Sequence, residues 1–151
     1  MAKFTAVEAA SVLAIQQVIN EWGDELDQND GLNLIAADVL TQDCRYFVGG
    51  EWREGRDAAA QFYVERKARL VAAGGAPVMR HINSNYRVLF AAGDHAKVGF
   101  LLLFFAHVGD PPFVGYCDPL AVADVRMECR LEADGHWRIS RFDSGQIFQR
   151  G

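Results

Sequence analysis

The sequence predicts one α+β domain over residues 1–151, in which three N-terminal helices pack on a strongly curved, mainly antiparallel sheet. Such a sheet is expected to form a cone with an internal pocket. Residues 6 to about 73 carry apolar residues at helical spacing, whereas residues 78–149 alternate in the manner of strands. A length of 151 residues suits a single core that needs no disulfide or structural metal.

The helical half is predicted from apolar residues that recur at steps of three and four. In the first segment these residues are Val12, Ile15, Ile19, Trp22 and Leu26, and the helix is expected to end at residues 29–31. Residues 32–40 predict a second, short helix. Residues 44–48 predict a strand, followed by a turn at the glycine pair 49–50. A third helix is expected over residues 57–73, before a second glycine pair.

Four strands are expected in the second half, over residues 79–90, 96–107, 119–131 and 136–142. Residues 92–94 and 133–135 predict tight hairpin turns between them. In the third of these strands Ala123, Val125 and Met127 alternate with Asp124 and Arg126, so one face should be buried and the other wet. The run over residues 96–107 is apolar on both faces, which places it inside the sheet.

Composition argues against several classes of partner. The formal net charge is -5 and no cluster of Lys or Arg occurs, so neither nucleic acid nor an anionic membrane is expected. The longest apolar run, over residues 98–108, is too short to span a bilayer, and the first residues lack the pattern of a signal peptide. We therefore expect a cytoplasmic protein.

Three cysteines, Cys44, Cys117 and Cys129, form no C-x-x-C motif. They are predicted to be small buried hydrophobic residues in a reducing compartment. No spacing typical of a metal site or a phosphate-binding loop occurs, so the sequence predicts neither a metal nor an organic cofactor.

Strand alternation places His81 on the polar face of its strand. The residues predicted to share that face are Asn83, Asn85 and Arg87. Those predicted to face the other way are Ile82, Tyr86 and Val88. The pattern alone leaves two interpretations open, a face in water or a face that lines a pocket.

Two more residues are candidates for chemistry. His107 belongs to the most apolar strand, so its imidazole is either bound to a polar group or lines a cavity. Asp27 lies at the C-terminal end of the first helix, where the helix dipole disfavours a carboxylate. It is either a solvated residue at the start of a loop or a paired one.

Several segments together resemble the scytalone dehydratases. EWGDELDQNDG at residues 21–31 resembles the end of their first helix, and CRYF at 44–47, GRDAA at 55–59, RHINSN at 80–85 and DGHWRI at 134–139 follow in the same order. The chain is thereby identified as a scytalone dehydratase-like, SnoaL-like member of the nuclear transport factor 2-like superfamily with a cystatin-like fold.

The resemblance implies a cofactor-independent dehydratase, isomerase or cyclase that acts beside a carbonyl group of a small hydrophobic, cyclic or polyketide-like substrate. It implies that Asp27 orients His81 as the general base. Tyr46 would donate to the substrate oxygen, directly or through a water, and His107 would protonate the departing hydroxyl. The expected pocket residues are Trp22, Leu26, Phe62, Asn83, Phe142 and Phe148.

The chain also departs from that pattern. Leu26 stands where the dehydratases have a second tyrosine, and the serine and asparagine of their later strand have no clear equivalent. The identity of the substrate therefore cannot be carried over from the dehydratases to this chain. Two non-catalytic alternatives remain, a structural subunit similar to the small subunit of aromatic-ring dioxygenases and a binding protein for a hydrophobic ligand. Whichever function applies, the protein is expected to form a homodimer or homotrimer that is built on the outer sheet face.

Overall fold

A computed structural model describes residues 3–115 and 117–151 of the chain. Over these described residues the domain contains two helices and six strands. In chain order they are α1 (Ala6–Asn29), β1 (Leu40–Val48), β2 (Glu51–Glu54), α2 (Arg56–Ala72), β3 (Val78–Ala92), β4 (His95–His107), β5 (Ala121–Leu131) and β6 (Trp137–Gln149).

All six strands belong to one mixed sheet with the order β2-β1-β6-β5-β4-β3. Every neighbouring pair is antiparallel except β1 and β6, which run parallel. The predicted α+β class is confirmed, and β4 lies inside the sheet as expected. The predicted strong curvature is wrong, because the sheet is neither closed nor strongly curled and keeps β2 and β3 as two separate edges.

The second predicted helix is also wrong, because residues 31–38 form successive turns. Gly31 and Asp38 both have left-handed φ angles, of 77° and 54°, which interrupt helical hydrogen bonding at each end of the segment. The buried Glu25 carboxylate accepts the backbone N–H of Asn33 at 2.6 Å. A side chain of α1 therefore fixes this loop.

The first helix buries the face that its sequence predicts. Thr5 and Glu8 form a reciprocal capping box at its N-terminus, which satisfies amide groups that the helix leaves free. Ile15, Ile19 and Trp22 are almost fully buried, and α1 packs on β3 and β6. This packing brings the last two turns of α1 over the inner face of the sheet, the face that carries the core.

The strand β3 contains a bulge that changes which residues face the core. The antiparallel register with β4 shifts between Ser84 and Arg87, and Asn85 has a left-handed φ of 57°. Tyr86 and Val88 consequently pack against the core, on the same side as His81. The prediction that Tyr86 and Val88 face away from His81 is wrong, because the inserted residue reverses the alternation.

The faces of the other residues in that prediction follow from the same bulge. Ile82 lies on the outer face and is half exposed, as alternation requires. Arg87 pairs in register with Gly99 and also lies on the outer face, so it does not share a face with His81. The register between β5 and β6 shifts at Val122/Ala123 and at Glu128/Cys129, but the extra residues lie in β6, so the predicted alternation of β5 is confirmed.

Two of the three cysteines are buried, as predicted. Burial raises the pKa of Cys44 and of Cys129 to about 12, so neither thiol ionises near neutrality. Cys117 is exposed, which contradicts its predicted burial, because it follows β4 in a loop outside the sheet. Within the described residues, no helix combines the length and apolarity needed to cross a membrane.

The bulge makes a testable prediction. Asn85→Val should destabilise the protein by about 1–2 kcal/mol, because a β-branched residue disfavours a left-handed φ, whereas Asn85→Gly should be nearly neutral. Leu89→Val, at an exposed position of the same strand, is the matched control. Denaturant unfolding measures all three free energies. Equal stability of the Val and Gly variants at position 85 would contradict the assigned conformation.

Candidate active site

An aspartate–histidine pair joins α1 to the sheet edge. The Asp27 Oδ1 atom lies 2.6 Å from His81 Nδ1, and Asp27 Oδ2 accepts the backbone N–H of His81 at 2.9 Å. A carboxylate can only accept, so His81 Nδ1 carries the proton in this pair. That tautomer leaves Nε2 with a free lone pair, the arrangement that a general base requires.

The pair is nearly enclosed by protein. Only 12% of the His81 side chain and 8% of the Asp27 side chain are exposed. The imidazole packs at 4.8 Å from the Phe104 ring and at 6.0 Å from the Trp22 ring, measured between centroids. These apolar neighbours exclude most water from Nε2, which none of the described residues hydrogen-bonds.

A chain of three polar groups lies on the other side of Trp22. Its indole Nε1 donates to the Tyr46 hydroxyl at 2.8 Å, and the hydroxyls of Tyr46 and Tyr63 are 2.8 Å apart. One hydroxyl hydrogen lies between the two tyrosine oxygens, so the other is free to donate to a further acceptor. The Phe142 ring stacks on the Tyr46 ring with 4.6 Å between their centroids, and its centroid lies 5.2 Å from that of the Trp22 ring.

Tyr63 is the residue that the sequence reasoning missed. The resemblance directs attention to position 26, where Leu26 is a buried core residue. The second tyrosine instead comes from α2. Its position could have been found, because Ala59, Ala60 and Tyr63 follow helical spacing on the buried face and a buried phenol needs a partner.

Asn83 lies two residues after His81 on the inner face of β3. Its Oδ1 atom is buried and accepts no hydrogen bond within the described residues. Gly23 of α1 makes room for this amide, because a Cβ atom there would lie 3.2 Å from Asn83 Nδ2. A buried acceptor beside the imidazole can receive a hydrogen bond from a bound molecule.

The structure brings most of the predicted residues together and leaves three apart. Trp22, Tyr46, Asn83 and Phe142 lie with the Asp27–His81 pair on the inner face. His107 pairs in register with Val78, so its side chain lies on the sheet face opposite to that of His81. The side chain is exposed. Its imidazole lies against Phe113 at 4.5 Å and lines an outer groove of about 550 Å³.

Phe148 and Phe62 are the other two residues outside the cluster. Phe148 pairs with Val122 on the outer face of the sheet and is 68% exposed. Phe62 packs beside Gly49 and edge-on to Tyr63, with 5.3 Å between the two ring centroids. Strand register explains the positions of His107 and Phe148, since a shift of one residue moves a side chain to the opposite face.

Aromatic rings pack against His81 on the inner face, where an internal pocket was predicted. Three depressions, of about 410, 550 and 230 Å³, open on the outer sheet face or beside α1, and Asp27 and His81 line none of them. Among residues 3–115 and 117–151, no group of three or more His, Cys, Asp or Glu side chains is arranged to hold a metal.

Comparison with known proteins identifies the family. The model of the SnoaL-like domain matches residues 7–143, which include α1, the His81 strand and Phe142. The chain belongs to the SnoaL-like domain family. The sequence-based recognition of this SnoaL-like protein is thereby confirmed. Among curated proteins, none matches its sequence.

Solved structures agree with the fold of this SnoaL-like protein. An NTF2-like protein with a cystatin-like fold from Novosphingobium aromaticivorans is 23% identical, with 100% of this chain and 94% of that chain covered and a TM-score of 0.70. The hexachlorocyclohexane dehydrochlorinase LinA-type3 from Novosphingobium barchaimii LL02 is 17% identical, with 94% and 90% covered and a TM-score of 0.72.

A third similar structure, from Novosphingobium aromaticivorans DSM 12444, is provisionally named a scytalone dehydratase. It is 18% identical, with 96% of this chain and 89% of that chain covered and a TM-score of 0.67. At these identities the three likenesses establish the nuclear transport factor 2-like, cystatin-like fold and nothing finer.

The tyrosine pair predicts a specific response to alkali. Burial raises the pKa of Tyr46 and of Tyr63 above the ordinary value, so the unfolded chain loses these protons first. Stability linked to these groups is present below about pH 10 and is lost as the pH rises further. Their phenolate absorbance should therefore appear only with loss of the circular dichroism of the fold. Phenolate formation at an ordinary pKa, without unfolding, that disappears in Tyr46→Phe would contradict this.

Proposed function

We propose that this SnoaL-like protein is a cofactor-independent lyase or isomerase that removes a proton from the carbon next to a substrate carbonyl group. The observation that carries the proposal is the enclosed Asp27–His81 pair, whose Nε2 atom is free. Proteins that share the fold are named for elimination reactions, such as a dehydrochlorinase and a provisionally named scytalone dehydratase.

In the proposed reaction His81 Nε2 accepts the proton, and the electrons of the broken C–H bond move towards the carbonyl oxygen. Asp27 holds the ring and stabilises the imidazolium that forms. A general base placed in this way contributes about a hundredfold to ten-thousandfold in rate. The surrounding apolar rings strengthen the ion pair because they exclude water.

The free hydroxyl hydrogen of the Tyr46–Tyr63 pair would donate to the oxygen that gains negative charge. Burial raises the pKa of both phenols, so both stay protonated and remain donors at physiological pH. Trp22 supports this function because its N–H occupies one lone pair of Tyr46 and orients the hydroxyl. The Asn83 carbonyl oxygen would accept a hydrogen bond from a substrate hydroxyl.

The proton's destination depends on the substrate. In a dehydration, the C–O bond to a β-hydroxyl breaks and the His81 imidazolium returns its proton to the departing oxygen, which gives water and an unsaturated ketone. In an isomerisation, the same proton returns to another carbon. A single histidine serves both steps, since His107 lies on the opposite sheet face.

Substrate entry requires a side chain to move. The Trp22 and Phe104 rings cover the imidazole in this conformation, so a ligand would have to displace one of them. Phe104 is the better candidate, because its strand neighbours the edge strand β3, whereas Trp22 is 1% exposed and hydrogen-bonded.

Coupling between Asp27 and His81 tests the proposal. His81→Ala should remove most of the activity on a panel of small cyclic hydroxy-ketones, and Asp27→Asn should remove less, because a misoriented imidazole keeps some function. The double variant should be no worse than His81→Ala, since residues that act as one unit are not additive. Product formation is followed by mass spectrometry.

Two histidine variants are the controls for that experiment. His136→Ala, in an exposed hairpin, and His107→Ala, on the opposite sheet face, should both keep the wild-type rate. A double variant whose loss equals the product of the single losses would show that Asp27 acts independently. A full loss in His107→Ala would assign the chemistry to the outer groove instead.

We also propose that the protein self-associates through the outer face of its sheet, as a dimer or a trimer. Four apolar residues lie side by side across that face in register, namely Ile82, Leu103, Val122 and Phe148. On the same face the charged side chain of Arg126 already has a partner within the chain, since it forms an ion pair with Asp143. The apolar row is therefore the better contact.

Sedimentation can test this contact directly. Phe148→Asp should shift the protein to monomer at micromolar concentration, because a buried unpaired charge at the contact is costly. Leu13→Asp, at an apolar residue of α1 that is equally exposed, should leave association unchanged. A wild-type protein that sediments only as monomer would contradict the proposal, as would an unchanged Phe148→Asp oligomer.

A further inference from the structure

One cation at the border of the proposed site lacks an anionic partner. Arg66 of α2 is partly buried, and its Nε atom is fully buried without a hydrogen bond in the described part of the chain. The next residue, Lys67, pairs with Asp30, whereas none of the described carboxylates forms an ion pair with Arg66. A buried donor without a partner costs stability, and a ligand that accepts a hydrogen bond from it would recover that cost.

Two independent contacts connect Arg66 to the candidate site. Its guanidinium lies 5.0 Å from the ring of Tyr63, whose hydroxyl belongs to the tyrosine pair. Its Nη2 atom contacts Met79 Sδ at 4.0 Å. Met79 lies two residues before His81 on the same face of β3, which is roughly 7 Å along a strand.

The orientation of the guanidinium indicates what it can bind. Nε–H and Nη2–H form one edge of the planar group, the edge that binds both oxygens of a carboxylate at once. Along this edge Nε has no acceptor and Nη2 has only a thioether, which is a weak one. The methionine side chain is flexible and can yield this position to a ligand.

We propose that Arg66 determines specificity and binds a carboxylate group of the substrate at the edge of the site. The proposal rests on the proposed function, because it assigns the substrate of the Asp27–His81 pair to the keto acids. The carboxylate would lie between Arg66 and Met79, with the carbonyl group directed towards the tyrosine pair and His81. The net charge of -5 would otherwise repel such a substrate, so a local cation is required.

Binding of a matched pair of probes tests the inference without requiring turnover. The probes are 3-oxocyclohexane-1-carboxylate and its neutral methyl ester, measured by calorimetry at low and high salt. Wild-type protein should bind the carboxylate on the order of tenfold more tightly, and salt should weaken that preference. Arg66→Gln should abolish the preference and leave ester binding unchanged, whereas Arg66→Lys should keep part of it.

Arg69→Gln is the matched control, because Arg69 lies on the same helix and contacts Phe62 rather than Tyr63. It should keep the wild-type preference. Equal binding of the two probes by wild-type protein, no carboxylate binding at millimolar concentration, or a preference that survives in Arg66→Gln would each overturn the inference.

Stability gives a second measurement. If Arg66 is retained for a ligand, Arg66→Met should melt at the same temperature as wild type or higher, because the unpartnered donor is gone. A large loss of stability would assign Arg66 a structural role and overturn the inference.

Exchange of the α-hydrogens of the keto acid in deuterated water separates this inference from the proposed function. His81→Ala should bind the carboxylate normally and lose the exchange. Arg66-dependent binding without exchange by wild-type protein would uphold the carboxylate site and refute the proposed proton transfer.

Discussion

The Asp27 carboxylate makes two hydrogen bonds to one residue, and the geometry of the site depends on them. β3 is an edge strand, so every second backbone N–H points away from the sheet and needs another partner. Asp27 accepts that N–H from His81 and holds the ring nitrogen of the same residue. One side chain of α1 therefore fixes both the position of the strand and the tautomer of the His81 ring. Loss of this carboxylate would free the backbone and the ring together.

The inner face is built from aromatic residues that act as a support for these polar groups. Trp22 contacts the His81 ring and donates to Tyr46, so it connects His81 to the tyrosine pair. Phe142 of β6 packs against both Trp22 and Tyr46. Rigid rings with few rotatable bonds hold donors at fixed positions at a small entropic cost. The hydrogen-bonding groups are thereby oriented before a ligand arrives.

Much of the fold could be predicted from the sequence, because α1 and β5 have regular apolar spacing. The Asp27–His81 pair was found through the resemblance. Strand alternation left the environment of His81 open, and the position of Asp27 at a helix end left that residue undecided. Alternation failed at Asn85, where a left-handed residue inserts a bulge that no local pattern revealed. The three-helix arrangement failed because Glu25 binds the following loop.

The placement of the two candidate histidines could not be read from the resemblance, since register decides which face of the sheet a side chain occupies. His81 lies opposite Phe104 on the neighbouring strand, and His107 lies three residues further along that strand. An odd separation places the two histidines on opposite faces, whatever their chemical similarity. Tyr63 was missed for the related reason that its partner Tyr46 is seventeen residues away on another element.

Two groups with an unpartnered hydrogen-bonding atom lie near the proposed site, one on each side of His81 along β3. Asn83 follows His81 on β3. The Arg66 edge contacts Met79, which precedes His81 on the same strand. The Asn83 oxygen is an acceptor and the Arg66 edge carries two donors, so the two groups would bind chemically different ends of a polar ligand. Buried groups of this kind lower stability when the site is empty, and a ligand that satisfies both recovers that free energy as affinity. A molecule with a carboxylate at one end and a hydroxyl at the other satisfies both groups, and its middle carbons would then lie beside His81 Nε2.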